Sequence, residues 1–545
     1  MKRSLLHYFR PLAFTGLLTL CASVHAQGNT RPPLFRMDYN GFGNLRYGGH
    51  SFFKAPGGGQ LGPFAKTPTF AGKEFVDYPA ITSTLDRDTG TITQKFGWGV
   101  LKATYSQVGD NRIDIAMTAK NESPDLMKSL VVRVGRLEYP EIPVIEVFAQ
   151  EPRPFDGGHG SASSTQRPPL VLAKFGEQAL LVGAQNYTGD VATGFYTAEG
   201  TANSIALAMN DIPAGGQQTA TLTLRFGPKS STMQSLGADL LDDFKKRHPM
   251  TLNWKDRRPV GKLFLGCFGG DDHKETNINR WLSNAADVDV RTDEGKADLR
   301  KRILEYADGS IEVLRKYNAQ GAITWDPEGT RPGHTFYGDP RIIPDIAPEM
   351  EYKGTDGVAT IDAYFKKFED AGLLHGICIR PQKIVKRGEY WENDDLPTAE
   401  ERVEQLRGKI AYAVKRWNSK LIYIDSDPDV TAAEYQQLHR EFPDILLIPE
   451  WEHPLHYTAT APLMSFSHHR ATGTPAAVRE MYPGAFSLNF LDELPKATPT
   501  ERALVHQSVL SGDVPVANAW YAAEEWGAIS EIYEPAPATP APEKP

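Results

Sequence analysis

Cysteine is scarce in this 545-residue chain, with three in all. Cys21 lies in an apolar N-terminal segment, which leaves Cys267 and Cys378 for the body of the protein. No Cys-x-x-Cys spacing occurs, so the common tetrahedral zinc sites are excluded. Both remaining cysteines sit in apolar, strand-like runs (KLFLGCF and HGICIRP). An exported chain could join them in one disulfide; the plainer reading is two buried thiols packing as small hydrophobes. Positive charge is in deficit as well. The formal net charge of −9 offers no basic field for nucleic-acid phosphates. Beyond the N-terminus no apolar run reaches the roughly 18 residues of a membrane span. There is no Gly-x-Ser-x-Gly elbow, Walker loop, His-Glu-x-x-His helix or dinucleotide fingerprint, so acyl, phosphoryl and hydride transfer have no support.

What is present is an ordinary globular composition, 40% hydrophobic and 23% charged, in a chain too long for one domain. Residues 1–26 read as a signal peptide: Lys2 and Arg3, the apolar stretch Leu12 to Ala22, then Val24-His25-Ala26 before the cut. A lipoprotein at Cys21 is the weaker alternative, because Leu20 is large for the preceding position. The expected location is periplasmic or secreted. Residues 27–250 predict an all-β sandwich. Runs such as NRIDIAMTAKNES, SLVVRVGRL, PLVLAKF and TATLTLRFG alternate or run apolar between Gly, Asn, Asp and Pro. The region closes with a linker helix, Met233 to His248.

From residue 251 to 533 the texture changes to strand–helix alternation. KLFLGCF, GAITWD, HGICIRP, LIYID, ILLIPE, APLMSFSH, FSLNFLD and VPVANAW are eight strand candidates, most of them followed by helical spacing. Eight strand–helix units of this size predict an α/β domain of the (β/α)8 barrel type. The Pro-rich tail, 534–545, reads as disordered.

Strand ends on one rim of such a barrel form the active site. The fourth strand delivers Asp425 and Asp427, which share a face if the strand continues through them; SDPD is also turn chemistry. The fifth delivers Glu450, with Trp451 beside it to desolvate the carboxyl or stack on a sugar. Glu452 and His453 read as a surface pair. The second ends in Trp325, Asp326 and Glu328 before a long loop; Trp325 is either a stacking face or a wall residue. The third ends in Arg380, a planar cation for hydroxyl or carboxylate contacts. His468, His469, Asp492 and Trp520 close the sixth, seventh and eighth strands and would hold substrate. The first ends in Gly269-Gly270-Asp271-Asp272-His273. That acidic cluster suits Ca²⁺, though no EF-hand pattern is present and the main expectation is no metal and no cofactor.

With AGLLHGICIRP and LIYIDSD as the third- and fourth-strand patterns, the chain resembles the α-galactosidase-like clan of glycoside hydrolases (families 27, 36 and 97). Larger members of that clan place a β-supersandwich before the barrel. The resemblance implies a nucleophilic aspartate on the fourth strand. It lands on Asp425 or Asp427, and Asp427 is expected to be the more exposed of the two. The fifth-strand carboxylate and the long second loop depart from the clan. By position, Asp427, Glu450 and Asp492 also match the layout of the α-amylase family, although no His follows Asp492.

These features together predict a glycosidase acting on an oligo- or polysaccharide, with Asp427 as nucleophile or base and Glu450 or Glu328 as acid. The rival readings are a non-catalytic carbohydrate-binding protein and a metal-dependent hydrolase using Asp271, Asp272 and His273 with the two adjacent histidines.

Overall fold

A computed structural model describes residues 34–518, apart from 39–40, 49, 55–63, 66–67, 73–79, 138–141, 156–159, 199–201, 267–273, 331–337, 389, 466–472 and 492–496. The expected signal peptide, the helix expected after the eighth barrel strand and the tail lie outside these residues. Among the described residues no helix is long and apolar enough to cross a membrane.

The N-terminal half is two antiparallel sheets facing one another. One runs through Gly41–Tyr47, His50–Lys54, Met127–Leu137, Ala202–Ile212 and Val191–Ala198; the other through Val144–Val147, Leu170–Phe175, Gln178–Gln185, Gln217–Pro228, Arg112–Asn121 and Gly99–Val108. Strict alternation places Ile113, Ile115, Met117 and Ala119 in the shared core while Arg112 and Lys120 face outward. Leu170–Phe175 and Gln178–Gln185 depart from that pattern because they are buried on both faces. Their outer side is covered by the linker helix α1 (Met233–Arg247) through Leu240, Leu241 and Phe244. The approach is close: a Cβ on Gly183 would lie 2.8 Å from the Leu240 side chain. Helix α1 starts where Thr232 and Ser235 cap each other reciprocally.

The C-terminal half is an eight-stranded parallel sheet. Its strands are β1 (Val260–Phe264), β2 (Gly321–Trp325), β3 (Leu374–Ile379), β4 (Leu421–Ile424), β5 (Leu446–Pro449), β6 (Leu463–Ser465), β7 (Leu488–Phe490) and β8 (Val514–Asn518). The order β5-β4-β3-β2-β1-β8-β7-β6 is that of a barrel nearly closed on itself. Helices α2 (Asp293–Lys316), α3 (Thr360–Asp370), α4 (Ala399–Trp417), α5 (Ala432–Glu441), α6 (Ala476–Met481) and α7 (Pro499–Leu510) cover the outside. Three of them, α4, α5 and α7, begin with Thr-x-x-Glu capping boxes.

The even series of strand–helix units expected from the sequence breaks once. Between β5 and β6 there is only a 3₁₀ turn, His456–Thr458. The sandwich and α1 occupy the place of the missing helix. Leu455, Tyr457, Met464 and Met481 pack with Phe148, Leu170, Leu181 and Phe244 in one apolar cluster. The Leu455 amide also donates to the Gln166 carbonyl at 3.0 Å. Among the described residues β5 and β6 form no ladder with each other, and a backbone bond from the Ala461 amide to the Leu447 carbonyl at 3.0 Å crosses the seam.

Inside the barrel, aromatic rings form the layer beneath the carboxyl rim. Trp325 lies 5.0 Å from Tyr423, 5.9 Å from Phe490 and 5.5 Å from Phe264 between ring centroids. Trp325 is 4% exposed, so it is part of this plug and not the open stacking face the sequence offered as one alternative. Cys378 is a buried free thiol just below the same rim, and Cys267 lies outside the described residues.

Candidate active site

Four neighbouring strands, β2 to β5, each place the first residue beyond the strand in one group: Asp326, Arg380, Asp425 and Glu450. The parallel ladder brings this about. The Asp425 amide donates to the Ile379 carbonyl at 2.8 Å, and the Glu450 amide to the Ile424 carbonyl at 2.9 Å. The four residues therefore step along the rim in register.

Arg380 directs Nε and Nη2 at Asp425 Oδ2, each at 2.8 Å. The Glu450 carboxyl stands on the next strand end, since β4 and β5 pair in register from Leu421 and Leu446 to Ile424 and Pro449. Burial pushes Asp425 up to about 6; Arg380 opposes that rise and Glu450 adds to it. Glu450 is fixed from the other side by the Ser426 amide, 2.8 Å from Oε2. Ser426 has φ of 55°, which turns the chain abruptly after Asp425. The alternation of a strand therefore stops there, and Asp425 and Asp427 take different environments.

Asp427, expected to be the more exposed of the pair, is 1% exposed. The Tyr435 hydroxyl of α5 donates to its Oδ2, and the Trp451 amide donates to its Oδ1 at 3.1 Å. It ties α5 and the loop after β5 to the end of β4, while Asp425 is the one in the cluster. Burial pushes Asp427 up to about 7, against the pull of the Tyr435 and Trp451 donors. Trp451 itself is 43% exposed beside Glu450, the arrangement a sugar-stacking ring needs.

Asp326 has φ of 55° and is fully buried, with neither carboxyl oxygen partnered among the described residues. It fits because residue 266 is glycine: a Cβ there would lie 3.3 Å from Asp326 Oδ2. Burial raises its pKa well above the ordinary value; Arg380 works against that and Asp425 with it. Glu328 is buried next to it, raised first by burial and then by Asp326. Its Oε1 accepts the Gly338 amide at 2.7 Å. Glu328, offered by the sequence as an acid, is thus engaged in holding the far end of the β2 loop.

Two side chains escaped the sequence reading. Lys409 of α4 is fully buried and donates to the Arg380 and Gln382 carbonyls, each at 2.8 Å. Burial lowers it to about 8. Its signal was a charge standing in the apolar stripe Val403, Leu406, Ile410, Ala413. Tyr435 carried no signal, being one more buried residue on the inner face of α5. Asp271, Asp272, His273, His468, His469, Asp492 and Trp520 lie outside the described residues. Among the described residues no group of three His, Cys, Asp or Glu side chains is arranged to hold a metal ion.

No family model and no curated protein matches the sequence. Solved structures do. The alpha-N-acetylgalactosaminidase NagBb from Bifidobacterium bifidum, in complex with Gal-NHAc-DNJ, is 10% identical over 92% of this chain and 91% of its own, with a TM-score of 0.51. Its complex with GalNAc gives 10% identity, the same coverage and a TM-score of 0.52. At that identity the likeness is one of fold: a β-sandwich joined to a (β/α)8-type barrel over nearly the whole length of both chains.

Proposed function

We propose that this protein is a glycoside hydrolase that cleaves a glycosidic bond at the carboxyl rim of its barrel, exported on the strength of its N-terminal segment. The observation that carries the reading is the pair of carboxyls on adjoining strand ends, Asp425 addressed by Arg380 and Glu450 by the Ser426 amide. Two carboxyls at one rim, one to attack and one to protonate the leaving oxygen, are what glycosidic cleavage requires. The likeness in fold to an enzyme titled alpha-N-acetylgalactosaminidase supports the same class.

In this reading Asp425 is the nucleophile. Its carboxylate bonds to the anomeric carbon while the bond to the leaving oxygen breaks. Glu450 gives its proton to that oxygen. It then takes a proton from the water that releases the sugar from Asp425. A nucleophilic Asp425 implies retention of anomeric configuration, with the two carboxyls about 5–5.5 Å apart across the bound sugar. Trp451 offers a stacking face. No metal is needed.

A panel of nitrophenyl glycosides, N-acetyl-α-galactosaminide included, tests the class. Release of nitrophenol with the product's initial anomer matching the substrate's supports it. Binding without turnover across the panel favours the non-catalytic carbohydrate-binding reading instead.

A further inference from the structure

Resting on that reading, we infer that the rim carries a second saccharide site, for the sugar on the leaving-group side of an uncharged oligosaccharide. A cavity of about 580 Å³ lies just outside the ring of strand ends. Its inner wall contains Pro381 and Ser426, the residues that directly follow Arg380 and Asp425. A glycone over the barrel axis would therefore have its next sugar directed into this space.

The outer wall includes the root of a hairpin the sequence did not disclose, Lys383–Arg387 with Tyr390–Asp394: Gln382 and Asp395, the residues just before and just after it, line the cavity. Its root is closed by Gln382, whose Nε2 donates to Asp395 Oδ1 at 2.7 Å. The hairpin is anchored by Ile384 and Trp391, which pack on Ile346. The cavity is thus bounded on one side by the tied root of an anchored hairpin. Its volume falls in the range of about 300–1,000 Å³ typical of ligand pockets.

The chemistry of the wall selects the occupant. Leu396 and Pro397 offer apolar surface for the C–H face of a sugar ring, and Asp395 and Asp429 offer hydroxyl acceptors. The one arginine there, Arg402, is committed to Glu434 at 2.9 Å and to the Leu396 carbonyl at 3.2 Å. The remaining charges are carboxylates. They repel a uronic acid or a sulfated sugar and accept a neutral one.

The test compares kcat/KM for a neutral trisaccharide with that for the nitrophenyl glycoside of the same non-reducing sugar. In Asp429→Ala, at an exposed position, and in Leu396→Trp, which fills the cavity, the ratio of trisaccharide to aryl glycoside is expected to fall about tenfold, the size of one lost hydrogen bond. Circular dichroism checks that each variant is folded. An unchanged ratio in Asp429→Ala overturns the inference, and so does a wild type that cleaves the aryl glycoside but not the trisaccharide. Equal cleavage of a trisaccharide with a uronic acid in second place overturns the charge selection. A wild type that cleaves no glycoside at all removes the glycosidase reading, and the second site with it.

Discussion

At the scale of single residues, the question is which of two aspartates does the chemistry. Asp425→Asn removes the carboxylate that Arg380 and Glu450 address and is expected to lower kcat on the order of 10³-fold or more. Asp427→Asn keeps an oxygen for the Trp451 amide and a polar partner for Tyr435, so hydrolysis of the aryl glycoside is expected to stay within about fivefold of wild type, well under 1.4 kcal/mol. The same variant has a stability signature. Asp427 is raised from 3.8 to about 7 in the fold, so its favourable contribution is complete below 3.8 and is lost as pH rises through about 7. Denaturation midpoints of Asp427→Asn should decline less over that window than those of wild type. The acid limb of kcat/KM belongs to the other residue. Asp425 has to be ionised to attack, so activity should fall below about pH 6. Arg380→Gln removes the cation that holds Asp425 down and should move that limb upward; a limb unmoved by the substitution would detach Arg380 from the chemistry. The motif LIYIDSDPD announced carboxylates at a strand end, but not which one would face the mouth. The left-handed φ of Ser426 decides that, and a serine carries no mark of it in sequence.

Elements set the precision of those residues. Helix α4 reaches over the end of β3 with Lys409, whose two hydrogen bonds fix the carbonyls on either side of Pro381. That fixes the direction from which Arg380 leaves the strand. Lys409→Met is expected to lower kcat about tenfold with little change in KM, and to raise the acid limb as Arg380 loosens from Asp425. An intact pH profile together with a lowered denaturation midpoint would instead make Lys409 a stability residue only. The elements were largely legible before any coordinates. Continuous apolar runs gave the parallel strands and helical spacing the helices between them, while the Thr-x-x-Glu boxes that start α4, α5 and α7 went unread. Of the expected strand from Ala461 to His468, pairing begins only at Leu463, because apolar runs do not show where pairing starts, and residues 466–468 lie outside the described residues. The hairpin after β3 went unseen: KIVKR and YWEND are too polar to signal strands, and their pairing rests on long-range packing of Ile384 and Trp391.

For the whole molecule, the sandwich is part of what keeps the barrel a barrel. The order of the parts, sandwich, linker helix, barrel, followed from composition and periodicity alone. The dependence of one on the other did not, since the absence of a helix between β5 and β6 looks in sequence like one more loop. Excision of residues 34–250 would bare Leu455, Tyr457, Met464 and Met481, now covered by Phe148, Leu170 and Phe244. An exposed apolar patch of this kind drives association. The isolated barrel is expected to elute as aggregate in size-exclusion chromatography, and a monodisperse, active barrel would show that the contact is dispensable.

The seam between β5 and β6 adds a consequence of its own. A hoop with one weak stave takes its roundness from whatever leans on that stave, and here β5, the stave that bears Glu450, is braced by the other half of the chain. Loosening at the joint between the halves would be felt first as a misplaced proton donor, before any strand came apart.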